Sequence, residues 1–282
     1  MNEIVDLIQI EFFRNSLIAV ALTSIIAAIA GTYIVARKMV FISGGITHST
    51  FGGIGLAYFL GWNPLLGATL FAILSALGIE WSNQKGNIRE DSAIAILWSL
   101  GMAVGIIFVF LTPGYSPNLM SYLFGSILTV TSFDLVMMAI LAISISVAFY
   151  LFYRPILYTA FDTVHATAAG LPVKTIRYLL IITVAITIVV SIRVVGVILV
   201  LSLFTIPQAT ANIFTKDFKK IIALSMAFGF TGGVVGLFIS YYSNIPSGAS
   251  IIFALTTQWI IGKIGERLVT SIQKQQRATM QL

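Results

Sequence analysis

Apolar runs, each long enough for a helix of about 20 residues that crosses a bilayer, follow one another along almost the whole chain. Only 9% of the 282 residues are charged and the mean hydropathy is +1.00, whereas soluble domains carry roughly 25% charged residues. So few charges cannot cover a surface that faces water. The chain is therefore predicted to be an integral membrane protein.

The runs predict an all-α, polytopic membrane protein with about nine transmembrane helices, and the pattern also allows eight or ten. Residues 1–282 are predicted to form a single transmembrane domain. Residues 119–130 are interpreted as a re-entrant or interfacial segment, and the second run is short for a span. The predicted spans are 15–36, 46–62, 64–82, 92–111, 133–152, 176–192, 196–214, 220–241 and 247–265.

The positions of the basic residues predict the orientation. With the N-terminus outside, the inner segments hold all the Lys and Arg residues except Arg14 and Arg193, which leaves 14 of the 16 inside. Positively charged loops stay on the cytoplasmic side. This split favours an N-out, C-in topology, which requires an odd number of spans. Arg193 is the exception, and we interpret it as facing the protein interior.

The sequence excludes several classes of function. Cysteine is absent, so disulfides, thiolate metal sites and thiol catalysis are excluded. The chain lacks the P-loop pattern and the zinc-protease and serine-hydrolase patterns. The net charge of +6 comes from short basic clusters between apolar runs, which is typical of lipid contact and not of a nucleic-acid surface. Asp134, the carboxylate nearest a predicted span, is interpreted as a helix N-cap in preference to a proton relay.

His48 lies among glycines and hydroxyl residues at the edge of an apolar run, within Ser43–Gly55. An imidazole at membrane depth is costly without a partner, and imidazole is a common ligand of transition metals. On a helix, Gly44, His48 and Gly52 share one face. Two interpretations stay open. His48 binds ions in a small-residue groove, or it belongs to a helix-packing face and bonds to a neighbouring carbonyl.

Pro207 interrupts another patterned apolar run, residues 191–211. Proline has no amide hydrogen, so the carbonyl of Leu203 loses its helical partner. The polar residues that follow, Gln208, Thr210 and Asn212, are predicted to satisfy the kink. The alternative is that the kink lines a transport pathway.

The segment near 155–175 is predicted to lie on the cytoplasmic side. Asp162 to Gly170 is interpreted as a short helix, with Asp162 as its N-cap and Gly170 closing it. Its side chains are small and do not form a buried face. It is either a solvated loop or a docking helix for a cytoplasmic partner, and His165 is expected at its surface.

At four segments the sequence resembles the membrane permease subunit of ABC transporters that import zinc, manganese or iron(II). The similarity runs along nearly the whole chain, and the segments occur in the family's order. They are Arg37–Gly55, Leu123–Leu128, the run 191–211 and Gly236–Ala249.

The resemblance implies a homodimer in a bacterial plasma membrane, driven by two cytoplasmic ATP-binding subunits. An extracytoplasmic binding protein would deliver the divalent metal, ATP would be hydrolysed on the partner chains, and no cofactor would be bound permanently. The resemblance makes Asp162, His165, Ala166 and Gly170 part of the helix that contacts the ATPase. It matches His48 to a histidine of the translocation path, with Thr47, Pro207 and Gln208 as further pathway candidates.

The chain departs from the family at one position. The family pattern is Gly-Asp-x-x-x-His, and Gly44 stands where the acid is expected. Manganese favours oxygen ligands, whereas zinc and iron accept imidazole readily, so the loss of a carboxylate weakly favours zinc or iron. Two rival functions remain: a siderophore- or cobalamin-type ABC permease, and a stand-alone secondary carrier, which would usually contain more membrane carboxylates.

Overall fold

The computed structural model describes residue 7 and residues 9–85, 88–113 and 127–279. Every regular element in these ranges is helical, because a segment in lipid can satisfy its own backbone hydrogen bonds only as a helix. A 3₁₀ turn covers Ile127–Thr129. The α-helices are α1 (Glu11–Ala36), α2 (Val40–Leu60), α3 (Pro64–Lys85), α4 (Glu90–Leu111), α5 (Ser132–Leu151), α6 (Tyr153–Phe161), α7 (Thr163–Ala168), α8 (Val173–Val195), α9 (Val197–Leu203), α10 (Ile206–Phe214), α11 (Phe218–Ser243) and α12 (Ser247–Thr279).

Seven of these elements are long and apolar enough to cross a membrane, so the protein is polytopic. They are α1, α3, α4, α5, α8, α11 and the pair α9–α10 taken together. The helices α2 and α12 are not among the seven; glycines, hydroxyls and His48 lower the hydropathy of α2, and α12 carries polar residues along its length. Nine crossings, the N-out orientation and the homodimer stay predictions.

The helix bounds differ from the expected spans in three main places, and one is α12, which continues to Thr279 instead of ending at residue 265. The second span is not short, because α2 begins at Val40 and has 21 residues. The expected span 196–214 is divided into α9 and α10 at Phe204–Thr205, with Pro207 in the first turn of α10. Of the expected re-entrant segment, residues 119–126 lie outside the described part of the chain and the 3₁₀ turn follows them.

Glycines set the position of α2, which packs against both α3 and α4. Gly53 lies directly against the backbone of Gly67 on α3, and Gly55 lies against Gly105 on α4. A Cβ at any of these positions would collide with the opposite backbone. Such small residues allow helices to approach closely within a membrane, so α2 is held in the cleft between its two neighbours.

Two ion pairs fix the ends of α8. Near its start, Arg177 Nε lies 2.9 Å from Glu80 Oε1 on α3, in a geometry that brings the charges together without a directed hydrogen bond. Gln84 also donates to that carboxylate, at 3.0 Å. Near the end of α8, Arg193 Nε donates to Asp134 Oδ1 on α5, at 2.6 Å. This pair gives Arg193, the exception to the charge distribution, a partner within the protein.

The N-cap of α5 is Thr131, and not Asp134 as the sequence suggests. Asp134 occupies the third position of a capping box: its backbone N–H donates to the Thr131 hydroxyl, and its carboxylate accepts from the Thr131 amide at 3.1 Å. The prediction that Asp134 is the N-cap is therefore wrong, although Asp134 does take part in capping the helix. A carboxylate in a first helical turn that also pairs with Arg193 serves packing and capping.

We expect Glu80→Gln to lower the free energy of unfolding by about 3 kcal/mol, because Arg177 would keep its charge in a mostly buried place without a counter-ion. Thermal unfolding of the purified protein in detergent measures the change. Lys263→Gln is the control, since it breaks the exposed Lys263–Glu266 pair and should cost less than about 1 kcal/mol. Equal unfolding temperatures for the two variants would contradict the prediction.

Candidate functional site

His48 lies near the middle of α2 and stacks on Trp98 of α4. The ring centroids are 4.1 Å apart and the rings are nearly parallel, at 9°. The Nδ1 atom of His48 is buried and has no hydrogen-bond partner. Buried polar atoms are nearly always paired, so an unpaired one requires a specific explanation.

Gly44, one turn before His48, faces the same tryptophan. A Cβ placed on Gly44 would lie 3.4 Å from Trp98 Cζ3 and 3.6 Å from Leu201 Cδ2 on α9, which are ordinary contact distances. The position therefore has room for a first side-chain atom. Gly52, one turn after His48, has none, because its Cβ would lie 2.7 Å from Phe71 and 2.9 Å from the Gly101 carbonyl.

The structure separates the two stripes of small residues on α2. The stripe Gly45, Ser49 and Gly53 packs against Ile94, Gly101 and Gly67 of the neighbouring helices. These residues therefore fit the helix-packing interpretation. His48 fits it only in part, because its ring packs against Trp98 while its Nδ1 does not bond to a carbonyl as that interpretation requires.

The hydroxyls beside His48 are engaged in their own helix. Thr47 is fully buried and its Oγ1 donates to the Ser43 carbonyl at 2.5 Å, while Thr50 donates to the Thr47 carbonyl at 2.6 Å. No group of three or more His, Asp or Glu residues in the described part of the chain could hold a metal. Within these ranges a single copy therefore does not surround His48 with two further ionisable ligands.

Gln208 connects α10 to α1. Its Nε2 donates to the Ala27 carbonyl at 2.7 Å, and Gly31 leaves the space that the amide occupies. Gln208 is fully buried and its Oε1 has no partner. Its amide nitrogen thus does not satisfy the kink at Pro207, and Thr210 bonds to the Ile206 carbonyl of its own helix. A pathway role for Thr47, Pro207 and Gln208 stays a prediction.

The segment 162–170 forms the short helix that the sequence predicts. Asp162 caps α7 by accepting from the His165 amide at 2.8 Å, and Gly170 ends the segment with a positive φ of 75°. His165 is exposed, as expected, and contacts Tyr158 edge to face. One side chain differs from expectation, since Ala166 is completely buried. Val164, by contrast, is 80% exposed.

Trp98 and Leu201 are site residues that the sequence did not reveal. Both lie in long apolar runs, where tryptophan and leucine give the same signal whether they face lipid, a helix or a site. Only the folded arrangement of α2, α4 and α9 shows that they surround Gly44 and His48.

Comparison with known proteins gives consistent matches over almost the full length. Residues 9–265 match the ABC 3 transport family. The manganese transport system membrane protein MntC of Listeria monocytogenes is 36% identical over 255 residues, which cover 90% of this chain and 91% of MntC. An uncharacterised membrane protein of Synechocystis is 40% identical over 93% of both chains.

The fold agrees with a solved structure. The chain superposes on the structure of PsaBC from Streptococcus pneumoniae in complex with Fab with a TM-score of 0.82 and 32% identity, covering 93% of this chain and 94% of the other. Sequence and fold therefore support the same assignment. The chain belongs to the ABC 3 transport family and is a polytopic membrane permease of that family.

Proposed function

We propose that this protein is the transmembrane subunit of an ABC importer for divalent transition-metal ions. The observation that carries the proposal is His48, a partly exposed imidazole on a helix packed between two candidate spans, whose buried Nδ1 lacks a partner. MntC of Listeria monocytogenes and ScaB of Streptococcus gordonii, which is 33% identical over 86% of this chain, are both named for manganese. These names support a metal as the cargo.

In this proposal two copies of the chain form the permease in a bacterial plasma membrane, with the N-terminus outside. Two cytoplasmic ATP-binding subunits drive transport, and an extracytoplasmic binding protein delivers the metal. The dimer is supported by the lack of a group of three ionisable ligands among the described residues of one copy. The second copy, backbone carbonyls, hydroxyls or water would supply the remaining ligands.

Manganese is the first candidate cargo because the relatives are named for it, while zinc and iron(II) stay candidates because of Gly44. A site without a carboxylate presents imidazole as its characteristic ligand, and imidazole suits zinc and iron better than manganese. Uptake competition among the three metals in the reconstituted complex distinguishes them. A marked preference for a metal chelate over the free ions would instead favour the siderophore-type alternative.

The substitution His48→Ala should reduce metal uptake by at least about tenfold, since even residues that only support a metal ligand have effects of this size. Assembly with the ATPase should stay intact. Radiometal uptake into proteoliposomes and co-purification of the ATPase measure the two outcomes. Thr257→Ala is the control, because its exposed hydroxyl bonds only to the Phe253 carbonyl of its own helix. Unchanged uptake by His48→Ala would refute the role.

The substitution Gly44→Asp should fold and should raise manganese uptake relative to zinc severalfold, because a carboxylate would then stand one turn from His48. The space at Gly44 permits the new side chain to start without a collision. Gly44→Ala is the matched control, since it adds the Cβ without the charge. A folded Gly44→Asp protein with an unchanged ratio of manganese to zinc uptake would count against this explanation of metal preference.

A charge on the exposed face of α7 should uncouple ATP hydrolysis from transport. Val164 presents an apolar side chain to the solvent, which suits a contact with the ATPase subunit. We expect Val164→Asp to abolish most of the ATPase stimulation by the metal-loaded binding protein while basal hydrolysis continues. Val269→Asp is the control, because it places the same charge at an exposed position of α12. Normal stimulation in Val164→Asp would disprove the contact.

A further inference from the structure

A cavity of about 710 Å³ lies at the C-terminal end of α5, on other elements than those around His48. Side chains of α1, α5, α6 and α11 form its walls. The apolar and aromatic part includes Ile29, Phe149, Tyr150 and Ile222. The charged part consists of Arg154 and Lys219, and none of the described residues that line the cavity carries a carboxylate.

The two cations are available to a ligand. The ion pairs of the described residues involve Arg89, Arg177, Arg193 and Lys263, and leave Arg154 and Lys219 out. Both side chains are exposed, and Lys219 Nζ lies 4.8 Å from the centre of the Tyr153 ring.

The acid closest to Lys219 in the sequence caps a helix. Asp217 precedes Lys219 in the chain but does not line the cavity. Its Oδ1 accepts from the Lys220 amide at 2.9 Å and caps α11. The two charged side chains among the described residues that line the cavity, Arg154 and Lys219, are both positive.

The cavity also lies where an apolar span ends. Tyr150 and Leu151, the last residues of α5, are 84% and 65% exposed on a helix that is apolar enough to cross the membrane. A second cavity of about 470 Å³, with almost entirely apolar walls, shares Phe149 and Pro155 with the first. Tyrosine, lysine and arginine are typical of the membrane–water interface. A ligand of both cavities would need an anionic part and a long apolar part.

We propose that this cavity is a specific binding site for an anionic phospholipid. Its phosphate lies between Arg154 and Lys219, and an acyl chain lies along the apolar walls beside Phe149. Basic pockets between membrane helices bind anionic headgroups for the same electrostatic reason. An acidic protein partner would match the two cations, but its carboxylates would leave the apolar walls without an apolar group to contact. This site is separate from the metal path and does not depend on it.

Native mass spectrometry of the detergent-purified permease complex tests the site, with dioleoylphosphatidylglycerol and dioleoylphosphatidylcholine as probes. We expect the wild type to retain phosphatidylglycerol preferentially. The double substitution Arg154→Gln with Lys219→Gln should lower its relative affinity by about tenfold to thirtyfold, the effect expected for two basic groups at a lipid surface. Arg89→Gln with Lys174→Gln is the matched control, because it removes the same charges from exposed positions outside the cavity.

Three results would overturn the proposal. The first is equal retention of phosphatidylglycerol by the two double variants when both are folded by thermal unfolding. The second is displacement of the lipid by glycerol phosphate at the concentration at which the whole lipid competes, because the apolar walls would then contribute nothing. The third is loss of the ATPase subunit from Arg154→Gln/Lys219→Gln with lipid retention unchanged. That result would show that Arg154 and Lys219 contact the ATPase subunit and not a lipid.

Discussion

The close contact of α2 with α3 and α4 is the constraint on which the site depends. Glycine faces glycine at Gly53–Gly67 and Gly55–Gly105, so the helix axes come closer than side chains would permit. Lipid gives packed helices no hydrophobic gain, and backbone contact of this kind is what holds them together. The same contact fixes the rotation of α2. His48 must then point towards Trp98, while the stripe of Gly45, Ser49 and Gly53 is used for packing.

This rotation explains why neighbouring glycines of α2 have different structural roles. At Gly52 and Gly53 only glycine fits, because a Cβ would collide with a neighbouring backbone or aromatic ring. Gly44, by contrast, faces Trp98 and Leu201 at ordinary contact distances. Gly44 is therefore not demanded by packing. The site therefore consists of an imidazole with an unpaired Nδ1 beside an aromatic ring, with space one turn away at Gly44.

Much of the fold was predictable because lipid permits so few solutions. Apolar length predicted most of the helices, since lipid forces the backbone into helices. The start of α2 at Val40 and the division at Phe204–Thr205 were missed. The length of α2 was missed because its polar residues lower the local hydropathy. The division of the later span was missed because a proline indicates a disturbed helix but not the residue at which the helix ends. In the site, His48 was identifiable as an isolated polar residue, but Trp98 was not, because nothing in an apolar run marks which face a tryptophan occupies.

The two ion pairs connect the two ends of α8 to different helices. Arg177 and Arg193 are 16 residues apart, which on a helix is about 24 Å, most of the roughly 30 Å thickness of the bilayer core. Arg177 is paired with α3, whose Gly67 lies against α2. Arg193 is paired with α5, which is followed by α6 and α7 and lines the proposed lipid site. The helix α8 follows α7 after only four residues, Ala169 to Pro172. In the proposed complex, a movement of α7 by the ATPase would act on α8, which is paired at both ends. The Arg177–Glu80 pair would connect that movement to α3, which packs against the helix that carries His48.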